Sequence, residues 1–170
     1  MYILGDVSFI CHPNTGSRSL KRALLDAGGE PILTHHEVCP KTASGSKACV
    51  CVVRNPYDVM ASWFCRMPVT LTPFEVWLAN TLQGDRHHEG PQPCGLFYGL
   101  NWATDVVRFE DLPGSLNVVT EKLGLPRLVL GHDGKSGRTS ADYRAIYNDK
   151  SKLLVRAAYC HQLKSCNYGF

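Results

Sequence analysis

The stretch FICHPNTGSRSLKRALLDAGG, residues 9–29, runs from an apolar segment through a short Pro/Gly loop into leucines at helical spacing, closed by Gly-Gly. The first part reads as a buried strand and the last as a helix with a glycine stop. A strand that turns sharply into a helix presents helical N–H groups and a positive dipole end to its loop, which suits a phosphate or sulfate. Gly16 lets the backbone approach such an anion, and Thr15, Ser17 and Ser19 add hydroxyl donors. An ordinary strand-to-helix turn with a serine cap reads equally well from these residues alone.

The same alternation continues outward. Strand patterns fall at about 6–11, 31–35, 48–53 and 104–109; DVSFIC, ACVCVV and TDVVRF have the character of strands buried on both faces of a parallel sheet. Helical patterns lie between and after them: SRSLKRALLDAGG, NPYDVMASWFCRM with a Pro at its start, TPFEVWLANTL, DLPGSLNVVTEKLGL, and a long last helix from about 140 to 166. Strands alternating with helices predict a three-layer α/β domain around a central, mostly parallel sheet, with ligands outside the carboxyl ends of its strands. At 170 residues the chain is expected to form a single domain, 1–170. Segments 83–95, which carry His87 and His88, and 131–140 read as polar loops.

Composition excludes several classes. The net charge of +3 comes from scattered Lys and Arg, so no nucleic-acid footprint is expected. No apolar run is long enough to span a bilayer, and the start MYILGDVSFIC has an acidic residue and no basic leader, so the expectation is a cytoplasmic protein without a membrane partner. Eight cysteines include no C-x-x-C pair and are read as buried thiols; a zinc site from Cys160, His161 and Cys166 is the lesser alternative, and no metal is expected. Oligomeric state is not legible.

Two further stretches carry chemistry. VCVVRNPYDVMASWF, residues 50–64, puts Arg54 at the carboxyl end of a buried strand and Ser62 eight residues later in the next helix. A guanidinium near a core needs an anionic partner. A ligand phosphate and a salt bridge to Asp58 or Glu110 are both open at this point. VVRFEDL, residues 106–112, places Glu110 and Asp111 just past another strand, where they pair with arginines or favour the start of a helix. The loop at 12–19 lacks the Lys after Gly16, and the earlier Gly, that a Walker A phosphate loop requires, which disfavours an ordinary ATP or GTP site.

In this order, FICHPNTGSRSL, VVRNPYDVMASWF and VVRFEDL resemble the sulfotransferase superfamily that uses 3′-phosphoadenosine 5′-phosphosulfate (PAPS). That family has a P-K-T-G-G-T-S-L type of loop after a strand and an R-[DN]-P followed by Ser eight residues after the Arg. The tail YRAIYNDKSKLLVRAAYCHQLKSCNYGF is similar to the end of its carbohydrate-type branch. The resemblance implies a P-loop-NTPase-like sulfotransferase fold, PAPS as co-substrate without a metal, and sulfuryl transfer to a hydroxyl or amine on a small-molecule or glycan acceptor. It implies that Pro13, Asn14, Thr15, Gly16, Ser17, Arg18 and Ser19 cradle the 5′-phosphosulfate, that Arg54 and Ser62 hold the 3′-phosphate, and that Lys135 and Arg138 add contacts from a late loop. Asn14 stands where the family has a Lys, so Arg18 is expected to supply the missing cation. His35 or His36, at the end of the second strand pattern, is the expected base. A non-catalytic binder of a nucleotide or sulfated ligand and a P-loop-type ATP-dependent kinase are the alternatives. The aromatics Trp63, Phe64, Trp77, Phe97, Tyr98 and Trp102 are expected in the core rather than against a cofactor.

Overall fold

The structure is a computed structural model describing residues 1–12, 14–32, 46–67, 71–83, 100–131 and 142–170. It divides into two compact units: Met1–Val53 with Phe97–Gly134, and Arg54–Leu96 with Lys135–Phe170.

The first unit is built on a five-stranded sheet. Strands β1 (Tyr2–Leu4) and β2 (Val7–Cys11) form an antiparallel hairpin in which Leu4 pairs with Val7. The two residues between them are Gly5 and Asp6; Gly5 has φ +61°, as the first central position of a primed hairpin turn requires. After helix α1 (Ser17–Asp26), β3 (Glu30–Pro31) returns antiparallel to β1. Strand β4 (Ala48–Val53) lies parallel to β2, and β5 (Asp105–Arg108) parallel to β4, giving the order β3-β1-β2-β4-β5.

The chain is therefore α/β, and the sheet is mixed. Its β2-β4-β5 part is parallel as expected. The other half is antiparallel, because residues 2–4, ahead of the strand expected at 6–11, form β1 and turn back onto β2 through Gly5 and Asp6. The predicted strand at 31–35 survives as Glu30–Pro31, a short edge on which Pro31 is in keeping with the rule that proline avoids central strands; positions 33–35 lie outside the described residues.

One face of this sheet carries Val7, Phe9, Val50, Val52 and Val107, which form a single buried cluster with Leu20, Ala23 and Leu24 of α1 and Leu112, Leu116 and Val119 of α4 (Leu112–Lys122). Each fully buried aliphatic or aromatic side chain of this kind contributes about 1.5–3 kcal/mol. Ser8, Ile10, Cys51 and Val53 on the other face are buried too, which is why both strands read as continuous apolar runs rather than alternating ones.

The second unit is helical among its described residues. It holds α2 (Pro56–Phe64), α3 (Phe74–Gln83), a 3-10 turn at Tyr143–Ile146, α5 (Asp149–Ala158) and α6 (Cys160–Ser165). The expected last helix from 140 to 166 is thus broken. Asn148 and Ser151 form a capping box that starts α5 at Asp149, and Tyr159, at φ −117°, interrupts it. Tyr159 is fully buried and its hydroxyl donates to Met60 Sδ at 3.6 Å. Phe64, Phe74 and Trp77 pack ring against ring, with Phe74 and Trp77 stacked; Trp77 is buried in line with its expected core role, whereas Phe64 is half-buried. Trp102, by contrast, is exposed, and Phe97 and Tyr98 lie outside the described residues. No described helix is long and apolar enough to cross a membrane.

Candidate functional site

The loop after β2 is shaped by two left-handed residues. Asn14 has φ +62° and Gly16 φ +75°. Asn enters this region far more readily than Lys, so the local backbone accounts for Asn at the position where the resemblance calls for Lys. Asn14 and Thr15 are buried. The Thr15 hydroxyl donates to the His12 carbonyl at 2.6 Å, and the Thr15 N–H reaches the same oxygen at 3.3 Å, closing the turn.

Gly16 is the N-cap of α1 and supplies no side-chain cap. Its lack of a Cβ has a second cause: a methyl there would stand 2.9 Å from Leu112 Cδ2 and 3.2 Å from the Phe109 ring. The glycine thus lets α1 approach the segment after β5. Ser17 begins the helix half-buried, Ser19 is buried one turn in, and Arg18 is exposed. The first turn of α1 contains no acidic residue, which leaves the positive end of its dipole without a carboxylate from that turn.

Below this loop sits a contact that the sequence did not announce. The His12 ring, 5% exposed, has Nε2 3.7 Å from Cys51 Sγ, which is fully buried. The parallel register pairs Ile10 with Cys51, and that pairing brings the end of β2 alongside the middle of β4. Only the register could have revealed it. The neighbouring Cys11 thiol is pushed up to about 12 by burial.

In the second unit, Arg54 follows the last residue of β4 and is 5% exposed. Of the two possibilities left open by its spacing, the salt bridge to Asp58 is present: Arg54 Nε donates to Asp58 Oδ2 at 2.7 Å and Nη2 lies 2.6 Å from the same oxygen. Asn55 caps α2, its Oδ1 accepting from Tyr57 N–H at 3.1 Å, and Pro56 takes the first helical position.

Ser62 lies four residues beyond Asp58, on the same face of α2. Its hydroxyl is fully buried and has no hydrogen-bond partner among the described residues. Helical serines commonly bond back to the carbonyl one turn earlier; this one does not. Thr81 of α3 shares that condition.

Tyrosine hydroxyls surround the start of α2. Tyr147 donates to the Tyr57 carbonyl at 2.8 Å, and burial pushes both phenols above their ordinary range, Tyr147 further with help from neighbouring Tyr57 and Tyr143.

The structure therefore places Asn14, Thr15, Gly16, Ser17, Arg18 and Ser19 together in one loop and helix start; Arg54, two residues before α2, pairs with Asp58, and Ser62 lies one turn beyond Asp58 on that helix. Pro13, His35, His36, Lys135 and Arg138 lie outside the described residues. Among the described residues no three His, Cys, Asp or Glu side chains gather as a metal would require, Cys160, His161 and Cys166 included. No family model, curated protein or solved structure matches the chain.

Proposed function

We propose that the chain is a PAPS-dependent sulfotransferase with a three-layer, P-loop-NTPase-like fold, moving a sulfuryl group to a hydroxyl or amine of a small-molecule or glycan acceptor. The observation that carries this reading is Ser62. A buried hydroxyl without a partner costs on the order of 1–3 kcal/mol, and it stands eight residues after a buried arginine, at the spacing of a 3′-phosphate grip. A phosphate oxygen would satisfy it. The Arg54 side chain, which pairs with Asp58 through Nε and Nη2, carries the planar fork of donors suited to phosphate.

PAPS supplies the chemistry, a sulfuryl group on a good leaving group. On this reading the protein's own residues bind and orient. The amides at the start of α1, with Thr15, Ser17 and Ser19, hold the 5′-phosphosulfate; Arg18 provides a cation beside it; Arg54 and Ser62 hold the 3′-phosphate, and Lys135 and Arg138 add to the nucleotide contacts. His36 or His35 takes the acceptor proton. No metal enters. The free thiols Cys11, Cys49 and Cys160 fit the reducing cytoplasm in which this reading sets the protein.

A second reading, a non-catalytic binder of the same nucleotide, is favoured by Asn14. It is uncharged and buried where a charged donor would stabilise the leaving oxygen.

Calorimetric titration with adenosine 3′,5′-bisphosphate, beside ATP with and without Mg²⁺, tests both. Metal-independent binding of the bisphosphate that is lost in Arg54→Ala is the expected result. Sulfuryl transfer from PAPS in an acceptor screen then separates enzyme from binder. A folded wild type that ignores the bisphosphate ends both readings, and Mg²⁺-dependent ATP binding would replace them with a kinase-type site.

A further inference from the structure

Asn55 does more than cap α2. Capping needs only a side-chain acceptor, and Ser, Thr or Asp would serve as well. The Asn55 amide also donates, to the Gly169 carbonyl at 2.7 Å and to the Tyr143 hydroxyl at 3.1 Å.

Gly169 is one residue from Phe170, whose ring meets Tyr57, Tyr147 and Tyr143 edge-on at centroid distances of 5.0, 5.4 and 6.1 Å. Two cations lie over that ring, Lys152 Nζ at 4.7 Å and Arg144 Cζ at 5.8 Å. Tyr147, itself in this cluster, donates to the Tyr57 carbonyl. The first turn of α2 is thus gripped by segment 167–170 and by the 3-10 turn and α5 together. The gripped residues begin immediately after Arg54.

We infer that segment 167–170, through Asn55 and the Phe170 ring, is a positioning element for Arg54 that sets selectivity for a 3′-phosphorylated nucleotide. This rests on the proposed reading of Arg54 and deepens it. Arg54 is the residue at which the chain passes from β4 to α2, so its backbone direction is set by what holds Asn55. A fork-shaped donor set tolerates little displacement against a phosphate. The strap touches no ligand in this scheme; it acts through Arg54.

The test compares affinities for adenosine 3′,5′-bisphosphate and for adenosine 5′-monophosphate, which lacks the 3′-group, in wild type, Asn55→Asp, Phe170→Ala and Phe170→Tyr. Asn55→Asp keeps the cap acceptor and removes the donor to Gly169, so the helix start is retained. The inference expects Asn55→Asp and Phe170→Ala to lose at least about tenfold in bisphosphate affinity, with monophosphate affinity unchanged and Phe170→Tyr close to wild type. Equal loss of both nucleotides would mean a merely structural strap and overturn the inference. So would unchanged bisphosphate affinity in both variants. A wild type that fails to bind the bisphosphate overturns the reading of Arg54 itself, and the inference with it.

Discussion

Arg54 grips Asp58 across one turn at the start of α2, with two nitrogens within 2.7 Å of a single carboxylate oxygen and both side chains largely out of water. The strand-end arginine, for which the sequence left a ligand phosphate and a salt bridge both open, therefore has a partner in the helix that follows it. Pairing within the protein and gripping a ligand phosphate differ in what they predict for mutation.

Asp58→Asn removes one charge of a buried pair and leaves the other. Such changes cost about 3–5 kcal/mol. We expect a drop of that order in urea-denaturation stability. On the sulfotransferase reading, adenosine 3′,5′-bisphosphate should then stabilise Asp58→Asn more than wild type, because the ligand anion takes the place of the lost carboxylate. An equal thermal shift in both proteins would argue that Arg54 serves the helix alone.

Gly16→Ala combines a left-handed backbone, φ +75°, with a methyl placed 2.9 Å from Leu112 Cδ2. The backbone term is about 1–2 kcal/mol and overpacking adds about 1–3. Chemical denaturation should show a loss of at least about 2 kcal/mol. If instead the variant is as stable as wild type, the close approach of α1 to Phe109 and Leu112 is wrong.

Asp105 is held below the usual carboxylate range by the hydrogen bond from Lys122 and, after the opposing effect of burial, by that from Thr104. With the folded value depressed, the unfolded chain binds the proton more readily. The contribution to stability is present above the ordinary carboxylate pKa, near 4, and fades as pH falls through the folded value. Melting curves of wild type and Asp105→Asn should differ at pH 7 and converge toward pH 3; a difference that persists unchanged in acid would contradict the assignment.

Thiol labelling should follow burial. Cys160 is exposed, whereas Cys11 is buried and its thiol pushed up to about 12. Native iodoacetamide treatment at pH 8, read by peptide mass spectrometry, is expected to modify Cys160 and leave Cys11 intact until the chain is unfolded.

Asn148→Ala breaks the capping box of α5 and the 2.7 Å hydrogen bond to Glu75. Loss of the cap costs about 1 kcal/mol. Asn148→Asp, which keeps the cap acceptor but loses the donor to Glu75, should fall between the two.

The elements that carry the candidate site were largely legible. β2, α1, β4, α2 and α4 all appear within a few residues of where their apolar patterns put them, since strands buried on both faces and leucines at helical spacing are strong signals. The antiparallel part was less so: β1 was not foreseen, and β3 only overlaps the strand expected at 31–35. Three residues at Tyr2–Leu4 and two at Glu30–Pro31 carry no periodicity, and a two-residue Gly-Asp turn inside an apolar run is easily read through. The break at Tyr159 is hidden for a similar reason: an aromatic in a helical pattern looks like a continuing core position.

What the sequence determined by itself is local: hydrophobic period, the proline that opens α2, a glycine where the chain turns into α1. Those preferences act over one or two turns and need no distant partner. What only the tertiary structure decided is pairing. Which side chain meets Arg54, which leaves Ser62 without a partner, that His12 lies against Cys51, and that the Gly169 carbonyl returns to Asn55 across 114 positions all depend on register and packing between segments far apart in the chain. A buried polar group is satisfied or orphaned by its neighbours in space, and the sequence does not name them.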